Sequence, residues 1–515
     1  MILIHPPVAK PSEPPSGIAK LAGALKKHGI RPLLLDANIE GLRQIINRQR
    51  LLPRTSSDRW TGRALRNVSD NYASLRTWQT YSHIDRYKRA VIDLNHGIEK
   101  LCDHNATLGL ANFQQGELSP LRSADLIRAA EHPERNPFYP YFSSRIPELI
   151  DKSASPVIGF SINYLSQALC SFAMIGFIRQ NFHTIKIILG GGLVTSWMNS
   201  PDWQNPFTGL VDHLITGQGE QALLSIMGIN NTKETDYTPD YSLLPFSDYM
   251  APGPILPYSA SRGCYWNRCS FCPEKAEGNP YIPASTDRAM QDLHSLITIT
   301  GPTIVHLLDN AISMPILKRL TLNPLGVPWY GFTRISSLLT DIDFCITLKN
   351  AGCVMLKLGL ESGDQGVLDS MHKGINIETA SMVIKTLKKA GIATYIYLLF
   401  GTPSETVYEA RNTLDFVVRH KDEIGFLNLA LFNMPVCSQD KDKFETSSFY
   451  KGDLSLYTDF RHPKGWDRRQ VRHFLDSEFR KHRAVSEILR KDPPIFTSNH
   501  APLFKLADRI IQREN

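Results

Sequence analysis

The stretch Cys264-Tyr-Trp-Asn-Arg-Cys269-Ser-Phe-Cys272 places three thiols within nine residues, directly after the strand-like run 257–263. Three clustered thiolates suit an iron–sulfur cluster, which ordinarily takes four ligands. A cluster held by only three leaves one iron open, and an open iron can bind a substrate or cofactor. A structural zinc site wants a fourth Cys or His close by. The next His, His294, is too far along the chain to belong to the loop. A zinc knuckle or a chance cluster of core cysteines are the competing readings of the three thiols alone. The aromatic Phe271 before the last Cys is a second mark.

Such a loop needs a scaffold, and the residues after it supply one. Apolar strand runs recur at 303–308, 327–332, 354–358, 393–400 and 426–432, with helical stretches between them such as 377–390. They end, in order, at Asp309-Asn310, at Thr333-Arg334, at Gly359-Leu-Glu361-Ser362-Gly363 and at Gly401-Thr-Pro403. Counting the strand into the Cys loop there are six. Parallel strands with polar residues at their C-terminal ends imply a barrel with its active site at that rim. Each residue alone has a bland reading: a strand-end acid caps a helix, and a strand-end Arg makes a surface ion pair.

The first part of the chain reads as a doubly wound sheet. Ile2-Leu-Ile4 is a buried strand. Pro14-Pro15-Ser-Gly17 leads into an amphipathic helix over 18–28, and 31–35 is the next strand, ending at Asp36-Ala-Asn38. A long Arg-, Trp- and Tyr-rich insertion follows, about 42–155, expected to be mostly helical and to serve as packing or a cap. The sheet resumes at 157–163, followed by a helix over 165–181 and a strand over 185–189 that runs into Gly190-Gly-Gly192. Gly217-Gln-Gly-Glu220 opens a further helix. Glycines at strand ends let backbone approach a ligand closely.

The Cys loop with Phe271 resembles that of the radical S-adenosylmethionine superfamily. The usual spacing there is C-x3-C-x2-C; here the first gap holds one residue more. The resemblance implies that Cys264, Cys269 and Cys272 hold a 4Fe–4S cluster whose fourth iron chelates S-adenosylmethionine. It implies a partial (β/α)6 barrel over 252–436. Gly359-x-Glu-Ser-Gly363 is similar to a G-x-E-S segment in which Glu361 and Ser362 would face the cofactor. Asp309-Asn310 occupies the place that meets the methionyl ammonium, and Arg334 one where a basic residue meets a carboxylate. The turn 398–405, with Gly401, resembles the one that approaches adenine.

Residues 1–232, apart from the insertion, resemble the cobalamin-binding domain fused to many members of the superfamily. Ser161, Asn163, Gly190, Gly191, Gly192, Gly217 and Glu220 are then the expected cobalamin contacts. Asn38 falls where the usual D-x-H-x-x-G motif has its cobalt-ligating His. The expected fold class is therefore α/β: a flavodoxin-like domain, a linker over 233–251, the barrel, and a mostly helical extension over 437–515. In that extension Asp467 signals a helix start, the helix has a basic face, and Cys437 and His500 are the candidate functional groups.

The implied chemistry is reductive cleavage of S-adenosylmethionine and formation of a substrate radical, with cobalamin-dependent methyl transfer the leading form. The alternatives are a cobalamin-independent radical enzyme with a vestigial first domain, or a non-catalytic iron–sulfur or zinc protein. The implied partners are a small-molecule or peptide substrate and an electron donor such as ferredoxin or flavodoxin. The chain has 515 residues, eight Cys and a net charge of +7. No apolar run approaches a membrane span. Scattered cysteines point to a reducing cytoplasm rather than a disulfide framework. So mild a positive charge suits an anionic cofactor and gives little reason to expect nucleic acid.

Overall fold

The computed structural model describes residues 1–48, 58–102, 105–230, 234 and 236–514. Parts of the expected insertion and linker lie outside these residues. The chain forms two units, Met1–Pro254 with Tyr450–Leu456, and Ile255–Phe449 with Tyr457–Asn515.

Unit 1 is built on five parallel strands, β1 (Ile2–His5), β2 (Leu33–Asp36), β3 (Val157–Ser161), β4 (Lys186–Gly190) and β5 (His213–Leu214), in the order β2-β1-β3-β4-β5. This is the flavodoxin-like order, whose switch point lies where β1 and β3 diverge. β1 and β3 are buried along their whole length, as parallel strands covered on both faces must be. The helix Leu165–Asn181 is buried without a break from Gln167 to Ile178. An apolar surface all round means a helix covered on every side, and the insertion supplies one cover. Its helix Ser123–Glu131 comes so close that a Cβ on Gly176 would meet the Ala130 carbonyl oxygen at 1.8 Å.

The described residues of 42–155 form helices and a short antiparallel pair, Ala106–Leu108 with Phe113–Gln115. The stretch expected as a linker is instead strapped to unit 1. Asp240 N–H donates to Ala19 O at 2.8 Å, Lys20 pairs with Asp236 at 2.6 Å, and Tyr237 and Tyr241 are buried.

Unit 2 holds six parallel strands in sequential order, β6 (Ile255–Tyr258), β7 (Ile304–Leu307), β8 (Trp329–Thr333), β9 (Cys353–Glu361), β10 (Ala393–Phe400) and β11 (Phe426–Leu431). This is the six-stranded partial-barrel order. Helices return the chain between strands; Ile377–Lys389 starts where Asn376 accepts from the Glu378 and Thr379 N–H groups. The extension, expected to be mostly helical, also supplies strands: Thr446–Ser448 and Tyr457–Phe460 form a small antiparallel sheet with Met434–Pro435. Asp467 does cap a helix, Arg468–Phe474, in a capping box with Gln470. His500 is fully buried and stacks on Phe496 at 4.0 Å, within the extension.

Candidate active site at the barrel rim

The Cys loop leaves β6 through Ser261–Arg262, which pairs antiparallel with Ile282–Pro283, and ends at the short helix Pro273–Ala276. The loop is seated on the segment that follows β9. Ser270 N–H donates to Met371 O, and Trp266 Nε1–H donates to His372 O, both at 3.0 Å. Asn267, inside the longer first gap, has φ +43°, a left-handed turn that Asn tolerates better than most residues. Cys269 is buried, and Cys264 and Cys272 are half-buried. Burial pushes the Cys269 thiol up, while the cations of Lys373 and Arg334 act against it. Burial also raises Cys272, opposed by backbone N–H donors of Lys275 and Glu274 aimed at its sulfur.

Among the described residues no three His, Cys, Asp or Glu side chains converge on a single metal position. A cubane does not require that, because each of its irons takes its own thiolate. The donor set fits such a group: three free thiols in one loop, one supplied with N–H donors and one with cations.

Beneath the loop lies a buried ion pair, Lys373 Nζ to Glu361 Oε1 at 2.8 Å. Glu361 ends β9 at φ +68°, where the pairing with β10 shifts register after Gly359. Such an irregularity re-aims a side chain next to a site. The pair explains the Gly359-x-Glu361 spacing. A Cβ on Gly359 would sit 2.5 Å from Glu361 Oε1 and 2.9 Å from Lys373 Nζ. Lys373 also places its ammonium 5.3 Å from the Phe271 ring centre.

Other expected residues make protein contacts of their own. Arg334 is turned to the Cys loop: it donates to Lys373 O and lies 4.2 Å over the Trp266 ring. Asp309 is buried and spends its carboxylate on the turn before the loop, accepting from Ser261 Oγ at 2.5 Å and Ala260 N–H at 3.1 Å. Asn310 is exposed. Ser362 is buried against Thr413 at 3.2 Å and accepts from Asp364 N–H, which closes the turn.

Gly401, at φ +81°, follows β10 and donates its N–H to Glu405. It lines a cavity of about 250 Å³ with Phe432, Phe460, His462, Trp466 and Arg468. Two buried hydroxyls at strand ends, Thr333 Oγ1 and Thr402 Oγ1, have no protein partner. Buried groups of this kind ordinarily find one, so they fit a polar ligand. Cys437 is half-buried and stands outside the Cys loop.

Glu405 was not legible as a site residue. Burial raises its pKa to about 7, against hydrogen bonds from Gly401 N–H and Trp466 Nε1–H that lower it. Because the folded state holds this proton more tightly than the unfolded state, stability is greatest below the ordinary value of 4.5 and falls as pH rises towards about 7. The size is about 3 kcal/mol from one carboxyl. Glu405→Gln should flatten denaturation midpoints over that window; an unchanged slope would remove Glu405 as its source.

At the C-terminal ends of the unit 1 strands, Gly192 N–H donates to Asn163 Oδ1 at 3.0 Å, and Asn163 Nδ2 donates to Ser161 Oγ at 3.2 Å. Gly217 N–H donates to Thr195 Oγ1 at 2.9 Å, and Glu220 is buried. Gly190, Gly191 and Gly192 are not equivalent. Gly191, at φ +109°, leaves its Cβ space to the Ile162 carbonyl oxygen, 2.4 Å away, so its demand comes from the fold itself. A Cβ on Gly192 meets only Asn163 Oδ1 at 3.6 Å, and one on Gly217 meets nothing within 4 Å. Asn38 clamps Ala9, accepting its N–H and donating to its carbonyl, both at 2.9 Å. It is a buried structural residue.

The radical SAM superfamily model matches residues 258–417, which run from the end of β6 into the helix after β10. An uncharacterized methyltransferase of Pyrococcus horikoshii is 24% identical over 312 residues, 53% of this chain and 66% of that one. The anaerobic magnesium-protoporphyrin IX monomethyl ester cyclase of Rubrivivax gelatinosus is 24% identical over 258 residues, 47% of this chain and 45% of that one. The matches thus span between 45% and 66% of these relatives. Among solved structures, the radical S-adenosylmethionine methyltransferase TsrM from Kitasatospora setae, with tryptophan substrate and a SAM analog bound, covers 100% of this chain and 98% of its own. The TM-score is 0.58 at 11% identity, a likeness of fold. Residues 258–417 thus match a radical SAM domain, and the chain shares its overall fold class with a radical S-adenosylmethionine methyltransferase, unit 1 carrying a flavodoxin-like parallel sheet.

Proposed function

We propose that this enzyme is a cobalamin-dependent radical methyltransferase acting on a small-molecule or peptide substrate. The observation that carries the reading is the seating of the Cys loop over the buried Glu361–Lys373 pair and Arg334, at the C-terminal rim of six sequential parallel strands. Cys264, Cys269 and Cys272 would hold the cluster. Gly401 and the aromatic-walled cavity beside it would take the adenine of S-adenosylmethionine. The Thr333 and Thr402 hydroxyls are the free hydrogen-bonding groups for its polar parts. In unit 1, Gly192, Gly217 and the Ser161–Asn163 turn would border cobalamin. When bound, these groups supply one-electron cleavage of S-adenosylmethionine and a transferable methyl group. The chain's own work is to bind, orient and keep water from the rim. An electron donor such as ferredoxin or flavodoxin completes the system, in the cytoplasm. No helix among the described residues is long and apolar enough to cross a membrane.

One observation favours the cobalamin-free reading: Asn38 is fully spent on Ala9 and cannot serve cobalt. Both readings are tested on anaerobically reconstituted protein with a strong reductant. S-adenosylmethionine should yield 5′-deoxyadenosine, and S-adenosylhomocysteine as well if the methyl group is transferred. Neither product would sink the proposal. For cobalamin, Gly192→Val should fold, keep its iron and lose uptake at least about tenfold, since a β-branched side chain there fills open space beside the strand ends. Gly191→Val should instead lower soluble yield by opposing the Ile162 backbone. Wild-type protein without cobalamin uptake would leave the cobalamin-free enzyme standing.

A further inference from the structure

We propose that the extra residue in the first Cys gap builds a cation-backed loop in which Arg334, held by Trp266, sets the reduction potential of the cluster. The inference rests on the radical-enzyme reading of the Cys loop. It starts from the departure in spacing. The gap Tyr265-Trp-Asn-Arg268 is turned by Asn267 at φ +43°, and Trp266 is delivered between two guanidinium groups, Arg334 at 4.2 Å and Arg268 at 5.1 Å from its ring centre. Trp266 is fixed at its far side by Nε1–H donation to His372 O at 3.0 Å. The space it fills is held open by Gly374, where a Cβ would meet the indole at 2.1 Å. Arg334 is itself buried and tied to Lys373 O.

The stack and the carbonyl fix the guanidinium in place against the loop that carries Cys269. Of the two cations on Trp266, Arg268 is exposed and Arg334 is buried. Only the buried one acts with little solvent screening. A fixed positive charge beside a cluster stabilises the more negative, reduced state, and so raises the potential. Arg334 is thus a tuning residue, acting through its charge beside the loop that would hold the cluster.

The test is an EPR-monitored redox titration of reconstituted full-length protein, with iron counted in each sample. Arg334→Gln should keep about four irons. At the wild-type midpoint its ratio of reduced to oxidised cluster should be about tenfold lower, equivalent to about 59 mV for a one-electron couple. Arg334→Lys keeps the charge without the planar stack and should fall between. Arg268→Gln should match wild type. A wild-type midpoint in iron-loaded Arg334→Gln would overturn the proposal. Loss of iron in both Arg334 variants would do so too, since Arg334 would then serve assembly and not tuning. Wild-type protein that takes up no iron would instead defeat the radical-enzyme reading beneath it.

Discussion

Anaerobically reconstituted wild-type protein is expected to hold about four irons per chain, and Cys264→Ala, Cys269→Ala and Cys272→Ala each to lose them together with S-adenosylmethionine cleavage. The effect should be close to all-or-none, because the five remaining cysteines lie outside the Cys loop and three of them are buried. Cys170, Cys345 and Cys353 are buried, and burial raises all three thiols, Cys170 to about 12 and Cys345 to about 11. Thiols held so firmly protonated in apolar surroundings are poor ligands. The loop itself should survive Cys→Ala, since its anchors are the Ser270 N–H and Trp266 Nε1–H bonds and not the thiols. Circular dichroism should therefore be unchanged while the iron–sulfur absorbance is lost. A stoichiometric zinc site without iron in wild type would end the cluster assignment.

The strands of both sheets, short β5 apart, were readable in the sequence because parallel strands buried on both faces form apolar runs, and because Gly, Pro and polar residues punctuate them. The helix Leu165–Asn181 and the cap at Asp467 were readable for equally local reasons. What was not readable is long-range. A helix that is apolar on every side announces that something covers it, but not that the Ser123–Glu131 helix does. The pairing of Lys373 with Glu361 joins residues on either side of a helix, and nothing local distinguishes Lys373 from its neighbours. Glycine spacing misled at Gly191, where the close approach is made by the protein's own backbone. The polar residues do stand at the strand ends, but their protein contacts were not readable. Asp309 and Ser362 are consumed by turns, and Arg334 faces the Cys loop, because each side chain's direction is set by contacts made across the barrel.

Lys373→Met is expected to destabilise unit 2 by about 3–5 kcal/mol, the cost of leaving a buried carboxylate without its cation. The pair is well shielded, with side-chain exposures of 8% for Lys373 and 11% for Glu361, so the screening that reduces surface pairs to little applies weakly. Glu361 has no easy route to solvent, since its left-handed backbone and the space left by Gly359 direct the carboxylate to Lys373. Adding Glu361→Gln to Lys373→Met removes the unpaired charge and should restore most of the loss, as buried pairs replaced as a whole often cost little. The cycle is read from chemical denaturation of the full chain without cluster, which separates this stability effect from any role of the same residues towards a cofactor. A single variant within about 1 kcal/mol of wild type would mean that the pair is effectively solvated. A double variant no better than the single would mean that Lys373 acts through packing against Phe271 and not through its charge.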